Sequence, residues 1–90
     1  VYITTNPEKT VLYIGMTNNL TARLNQHYEN RGKPESFAGR YHCYKLLYWE
    51  RFQYVQHAIS REKELKGWSR KKKEALIATM NPEWNFLVVG

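Results

Sequence analysis

The sequence predicts an α+β fold, and three observations carry the prediction. Two short runs of strand composition, Val1-Tyr2-Ile3-Thr4-Thr5 and Val11-Leu12-Tyr13-Ile14-Gly15, flank the turn residues Asn6-Pro7-Glu8-Lys9-Thr10, the pattern of a β-hairpin. A third run, Cys43 to Phe52, is apolar or aromatic on both faces through Tyr44, Leu46, Leu47, Tyr48 and Trp49, which predicts a central strand. Three further segments carry helical spacing, so the chain alternates between periods of two and 3.6 residues.

In the hairpin, period two puts Val1 and Ile3 on one face of the first strand and Tyr2 on the other. Leu12 and Ile14 likewise oppose Tyr13 on the second strand, so the two tyrosines can share a face. The first helix, Asn19 to Glu29, starts at an asparagine suited to capping and carries an apolar stripe of Leu20, Leu24 and Tyr28. Arg23 and His27 lie four residues apart along one edge of that stripe, beside the strand that ends at Tyr13-Ile14-Gly15. A phenol, a guanidinium and an imidazole at one strand-to-helix junction read as an active site.

Asn30 to Arg40 has no periodicity and contains Gly, Pro and Ser, so it reads as a binding loop of about ten residues, with Arg31, Lys33 and Arg40 available to phosphates. The second helix, Tyr54 to Lys66, ends at Gly67 in the C′ role. Its apolar residues Val55, Ala58, Ile59 and Leu65 point in a mean direction that passes close to Glu62. A carboxylate there needs a partner, because an unpaired buried charge costs several kcal/mol. A metal ion is the favoured partner; a salt bridge, for instance to Arg23, is the structural alternative. The third helix follows the cap Ser69, with Ala75, Leu76, Ile77 and Met80 as its buried side. Its first turn, Arg70-Lys71-Lys72-Lys73, puts cations at the positive end of the helix dipole, which makes sense on a phosphate-facing surface. Asn81-Pro82 stops this helix, and Phe86-Leu87-Val88-Val89 forms an apolar tail.

The bulk numbers narrow the function. Ninety residues form a single domain, residues 1–90, able to bury roughly 60–65% of the surface its unfolded chain exposes. Fourteen Lys and Arg against eight acids leave a charge of +6, which points to a polyanionic partner, most often nucleic acid. The single Cys43 forms no intramolecular disulfide and, with three scattered histidines, no zinc cluster; a cytoplasmic setting is expected. No apolar run nears the roughly 18 residues a bilayer span needs, and the opening residues read as strand rather than as a signal peptide. All eight acids are Glu. A metal site is therefore expected to rest on one Glu with water in the remaining positions, which Mg²⁺ accepts.

Four ordered motifs together resemble the GIY-YIG nuclease superfamily, in particular its small stand-alone members related to the N-terminal nuclease domain of the bacterial excinuclease. Val1-Tyr2-Ile3 and Tyr13-Ile14-Gly15 stand where that family has its two naming triplets. Leu20-Thr21-Ala22-Arg23-Leu24-Asn25-Gln26-His27 matches its Leu-x-x-Arg-Leu-x-x-His pattern. Glu62-Lys63-Glu64-Leu65 matches its Glu-x-x-Leu motif, and Pro82-Glu83-Trp84-Asn85 its late Pro-x-x-Asn. Two positions depart from the pattern: Val1 stands at the first triplet's glycine, and Met16 stands where excinuclease-type members usually have Lys.

The resemblance implies a small three-stranded antiparallel sheet flanked by about three helices, and metal-dependent hydrolysis of phosphodiester bonds in nucleic acid, DNA first, in repair or processing. Glu62 would hold a single Mg²⁺ or Mn²⁺. Tyr13, or Tyr2 with the roles reversed, would help activate water; Arg23 would neutralise charge on the phosphate; His27 would orient or relay protons; Asn85 would hold the hydrogen-bond network. Arg40, Arg70, Lys71 and Lys72 are the expected nucleic-acid contacts. Two other readings stay open: a catalytically inactive nucleic-acid-binding module, and a protein-interaction domain that uses Trp49, Trp68 or Trp84. A protein partner supplying specificity is compatible with the nuclease reading.

Overall fold

The computed structural model describes residues 1–88; Val89, expected as the end of the apolar tail, lies outside them. Strands β1 (Tyr2–Thr5) and β2 (Leu12–Gly15) form the hairpin, followed by helices α1 (Leu20–Glu29) and α2 (Phe37–Arg40). Strand β3 (Lys45–Trp49) and helices α3 (Val55–Lys66) and α4 (Arg70–Met80) complete the order. The sheet is antiparallel throughout, with order β2-β1-β3. No helix among the described residues is long and apolar enough to cross a membrane.

The hairpin forms because Asn6 supplies the turn with bonds its backbone lacks. The Asn6 Oδ1 accepts from the Thr10 and Val11 N–H groups at 2.8 and 3.1 Å, and its Nδ2 donates to Thr10 Oγ1 at 2.7 Å. This fixes the register that puts Tyr2 opposite Gly15 and Ile3 opposite Ile14. By alternation, Ile3 and Ile14 face one way and Tyr2 and Tyr13 the other.

The face carrying Ile3 and Ile14 packs Ala58 and Leu65 of α3 and Ile77 of α4. Full burial of side chains such as Ile3, Leu65 and Ile77 stabilises by about 1.5–3 kcal/mol each. A register irregularity between Ile3 and Thr4 leaves Leu47 as the extra residue of β3, and both Leu47 and Tyr48 join this core. The opposite face carries Tyr2 and Tyr13 under α1.

Several expectations are corrected. The central strand is β1, not β3. The two-sided burial of β3 arises from layers of other elements on both faces, and Leu87 of the C-terminal segment bridges to Leu46 on its free side. The loop after α1 contains a fourth helix, α2, one turn long. Ser36 caps it by accepting from Gly39 N–H at 3.1 Å, and four residues are too few to show a period. In α3, Val55 and Ile59 are 61% and 38% exposed, so the inward line runs through Ala58 and Leu65, still with Glu62 half-buried between them. In α4, Ala75 and Met80 face outward, and Ile77 with Leu76 makes the contact. In α1, Tyr28 is exposed and His27 is the buried residue, so the edge position is the inward one.

Two glycines differ in what they allow. A Cβ on Gly15 would lie 2.3 Å from the Tyr2 Oη and 2.4 Å from its Cζ, and the Tyr2 ring, fully buried, has nowhere to go. Gly67, expected in the C′ role, is instead the C-cap itself: its φ is −82°, which alanine adopts without strain, and the nearest atom is 3.5 Å away. Gly15→Ala is therefore expected to cost about 1–3 kcal/mol of stability in urea denaturation. Gly67→Ala is expected to be neutral or to stabilise by about 0.5 kcal/mol in the same experiment.

Candidate active site

The site is built where the Tyr2/Tyr13 face of the sheet meets α1. Asn19 caps α1 by accepting from Ala22 N–H at 3.1 Å, which sets the phase of the helix and turns Arg23 and His27 toward the sheet. Tyr2 Oη lies 2.7 Å from His27 Nε2, and Arg23 Nε donates to the same oxygen at 3.3 Å. One arrangement of protons satisfies all three groups: Arg23 donates to the Tyr2 oxygen, and the Tyr2 hydroxyl donates to a neutral His27 whose proton sits on Nδ1. Tyr13 closes the cluster, its ring centroid 5.3 Å from that of His27 and 6.2 Å from that of Tyr2. Phe37 of α2 stacks on the outer side of Tyr13 at 6.2 Å.

The electrostatics follow from burial. Desolvation pushes the Tyr2 phenol up to about 12, and the Arg23 hydrogen bond only partly offsets it. Desolvation also lowers His27, and the Arg23 charge lowers it further. The hydrogen bond to Tyr2 in turn raises Arg23. The imidazole is thus held neutral at pH 7, as the proton arrangement requires.

Arg23 opens this cluster to a broad groove of about 1250 Å³, bounded by the β2–α1 connection on one side and the β3–α3 connection on the other. Ala58 of α3 lines the groove; Glu62, one turn later, does not. Glu62 is 23% exposed at its side chain and makes its ion pair with Lys66 at 3.6 Å, so the alternative pairing with Arg23 is not formed. It makes no hydrogen bond to Tyr2, Tyr13, Arg23 or His27 among the described residues.

The other predicted residues are spread more widely. Asn85 is exposed, and its hydrogen bonds are those of its main chain to Asn81. The buried Asn81 is the residue whose side chain holds this turn, donating to Leu47 O at 3.1 Å and Asn85 O at 2.7 Å. Arg40 is exposed on α2. Arg70 is engaged with Glu74 at 3.1 Å and with the Thr10 carbonyl at 2.8 Å, while Lys71 and Lys72 are exposed on the same turn.

Lys66 and Arg61, not singled out in the sequence, and Lys73 of the expected cationic turn join the site's surroundings. Lys66 and Lys73 line a small pocket with Tyr13 and Phe37 beside β2. Arg61 donates to Glu50 from Nε and Nη2, both at 3.0 Å, and also pairs with Glu64. Burial alone would raise Glu50, but hydrogen bonds from Arg61 and Tyr48 hold its carboxyl below the usual range. This network ties the end of β3 to the turn of α3 that carries Glu62. The only sequence signal for it was the Arg61-Glu62-Lys63-Glu64 charge alternation, which reads equally well as a solvated helix face.

These features define a class: an α+β domain with a Tyr, Arg and His cluster at the junction of a hairpin and the following helix. Comparison with known families matches residues 1–75 to the GIY-YIG catalytic domain, and the chain belongs to the GIY-YIG family, a nuclease superfamily that acts on nucleic acid. Among curated proteins it is 38% identical over 72 residues to a UPF0213 protein of Bacillus pumilus, covering 80% of this chain and 71% of that one. It is 35% identical over 78 residues to a UPF0213 protein of Natronomonas pharaonis, covering 87% and 88% of the two chains. No solved structure matches.

The pKa directions set the pH dependence of stability. Below about pH 6.5, the ordinary value for His, the unfolded chain protonates before folded His27 does, so the unfolded state binds more protons and stability falls as pH falls. Above pH 10 the unfolded chain loses the Tyr2 proton first, and stability falls as pH rises toward 12. Urea midpoints are expected to show both losses, with the acid limb flattened in His27→Gln and the alkaline limb in Tyr2→Phe.

Proposed function

We propose that the chain is a metal-dependent endonuclease that hydrolyses phosphodiester bonds, with DNA the first substrate to test and repair or processing as its setting. The observation that carries this reading is the Arg23–Tyr2–His27 hydrogen-bonded chain beside Tyr13, opening through Arg23 onto a groove able to hold a nucleic-acid strand.

Arg23 is the phosphate ligand. Its Nε is spent on Tyr2 and one Nη1 proton on Gln26 at 3.3 Å, which fixes the guanidinium plane and leaves the remaining donors for phosphate oxygens. Tyr2 is the positioning residue. Fully buried and with its phenol pushed up to about 12, it is a poor base, but it locks Arg23 and His27 to one oxygen. Activation of the attacking water falls to Tyr13, which is less buried than Tyr2 and lines a small pocket with Lys66 and Lys73 on its other side. His27, kept neutral, can accept the Tyr2 proton as charge shifts in the cluster. Asn85 acts only through the turn it shares with Asn81.

Glu62 is the residue that would hold a divalent ion. No group of three or more His, Cys, Asp or Glu side chains able to bind a metal occurs among the described residues. A single hard carboxylate, half-buried and partnered only by a lysine, fits an ion that keeps most of its water, as Mg²⁺ and Mn²⁺ do. Held by Glu62, such an ion would supply Lewis-acid chemistry for a phosphate and its leaving oxygen.

The test is cleavage of labelled single-stranded, duplex, flapped and branched DNA and RNA, with Mg²⁺ or Mn²⁺ and with EDTA. Cutting is expected only with metal, to be structure-directed or relaxed rather than tightly site-specific, and to be lost in Glu62→Gln. Arg23→Ala is expected to lower kcat by about 10²–10³-fold, the usual cost of removing one electrostatic stabiliser. Absence of cutting by any folded preparation, with salt-sensitive binding retained in Glu62→Gln, would assign the chain to the binding-module reading instead.

A further inference from the structure

We infer that the groove beside Arg23 seats an unpaired nucleotide, with Phe52 as the surface on which its base stacks. This rests on the nuclease reading and adds to it the form of nucleic acid the site takes.

The groove combines two kinds of wall. Arg23 stands on the α1 side; Trp49, Arg51 and Phe52 stand on the β3–α3 side. Phe52 is 39% exposed and has no aromatic or cationic partner among the described residues, unlike Tyr13, Tyr28 and Phe86. Trp49 is half-buried, with the Arg51 guanidinium 5.7 Å from its ring centroid. Among the described residues Glu50 is the single carboxylate lining the groove, and Arg61 and Tyr48 already hold it. The groove therefore presents two guanidinium groups, one compensated carboxylate and one free aromatic ring.

This composition suits one partner. The cations match a polyanion. A duplex keeps the faces of its bases stacked inside and offers only edges and backbone, so Phe52 would gain nothing from it. An unpaired base offers its face, and stacking on an aromatic side chain combined with a positive track is the general means of holding single strands. With Phe52 and Arg23 lining the same groove, a base seated on Phe52 places its own or its neighbour's phosphate within the compartment that Arg23 serves.

The experiment measures binding in EDTA, where no cutting occurs, by fluorescence anisotropy on a short single-stranded DNA and on a hairpin duplex of equal length. The wild type is expected to bind the single strand more tightly. Phe52→Ala is expected to weaken the single strand about tenfold while leaving the duplex within about twofold, and Phe52→Trp to keep single-strand affinity. A 2-aminopurine placed in the strand should be quenched by the wild type and not by Phe52→Ala. Phe52→Leu, which keeps apolar bulk without a π face, guards against a folding effect and should behave as Phe52→Ala. Equal loss on both nucleic acids, or no loss on either, overturns the proposal; the latter result is expected if the patch docks a protein. Metal-dependent cutting by the wild type is scored separately, so the nuclease reading can stand or fall independently of the stacking surface.

Discussion

The Tyr2 hydroxyl is the point on which this structure turns. It is shared by His27 and Arg23, so one buried oxygen fixes two residues of α1 against the central strand of the sheet. The arrangement requires Gly15, because the ring crosses the neighbouring strand where any Cβ would stand. It also requires the hairpin register set by Asn6, since a slip of one residue would turn Tyr2 to the aliphatic face. A side chain chosen only for packing would not need a glycine opposite and a guanidinium beside it. The cluster is thus both a structural clamp and the most specific chemical feature of the molecule.

The positive charge of the chain is spent unevenly. Arg61 and Arg70 are engaged in holding the fold, the first to Glu50 and Glu64, the second to Glu74 and the Lys9–Thr10 turn. Other cations lie over aromatic rings: Arg31 on Tyr28, Lys9 and Lys45 on Phe86, and Lys72 within 5.8 Å of the Trp68 ring centroid. Arg23 differs from all of these in lining a groove while its remaining donors stay available. A net charge of +6 therefore describes the long-range attraction to a polyanion, whereas local recognition depends on a few residues whose donors the fold has not already used.

Glu62 occupies a different position from the tyrosine cluster. It sits in the inward line of α3 between Ala58 and Leu65, close to the core yet open enough for Lys66 to reach it. The Arg61 network beside it anchors that helical turn to the end of β3, so the carboxylate is placed by its neighbours rather than by contacts of its own.

The sequence alone determined the α+β class, the hairpin, the starts of the three longer helices and the grouping of Tyr2, Tyr13, Arg23 and His27. All of these depend on short-range rules: alternation along a strand, spacing on a helix, and caps at Asn19 and Ser69. Only the tertiary structure decided that β1 is central, that α2 exists, that Val55, Ile59 and Met80 face water, and that Asn81 rather than Asn85 holds the last turn. It also decided that Glu62 pairs with Lys66 and that Lys66 and Lys73 line a pocket with Tyr13. The physical reason is range: period and capping act within a few residues, but burial, strand order and charge pairing depend on which surfaces meet after the chain has closed.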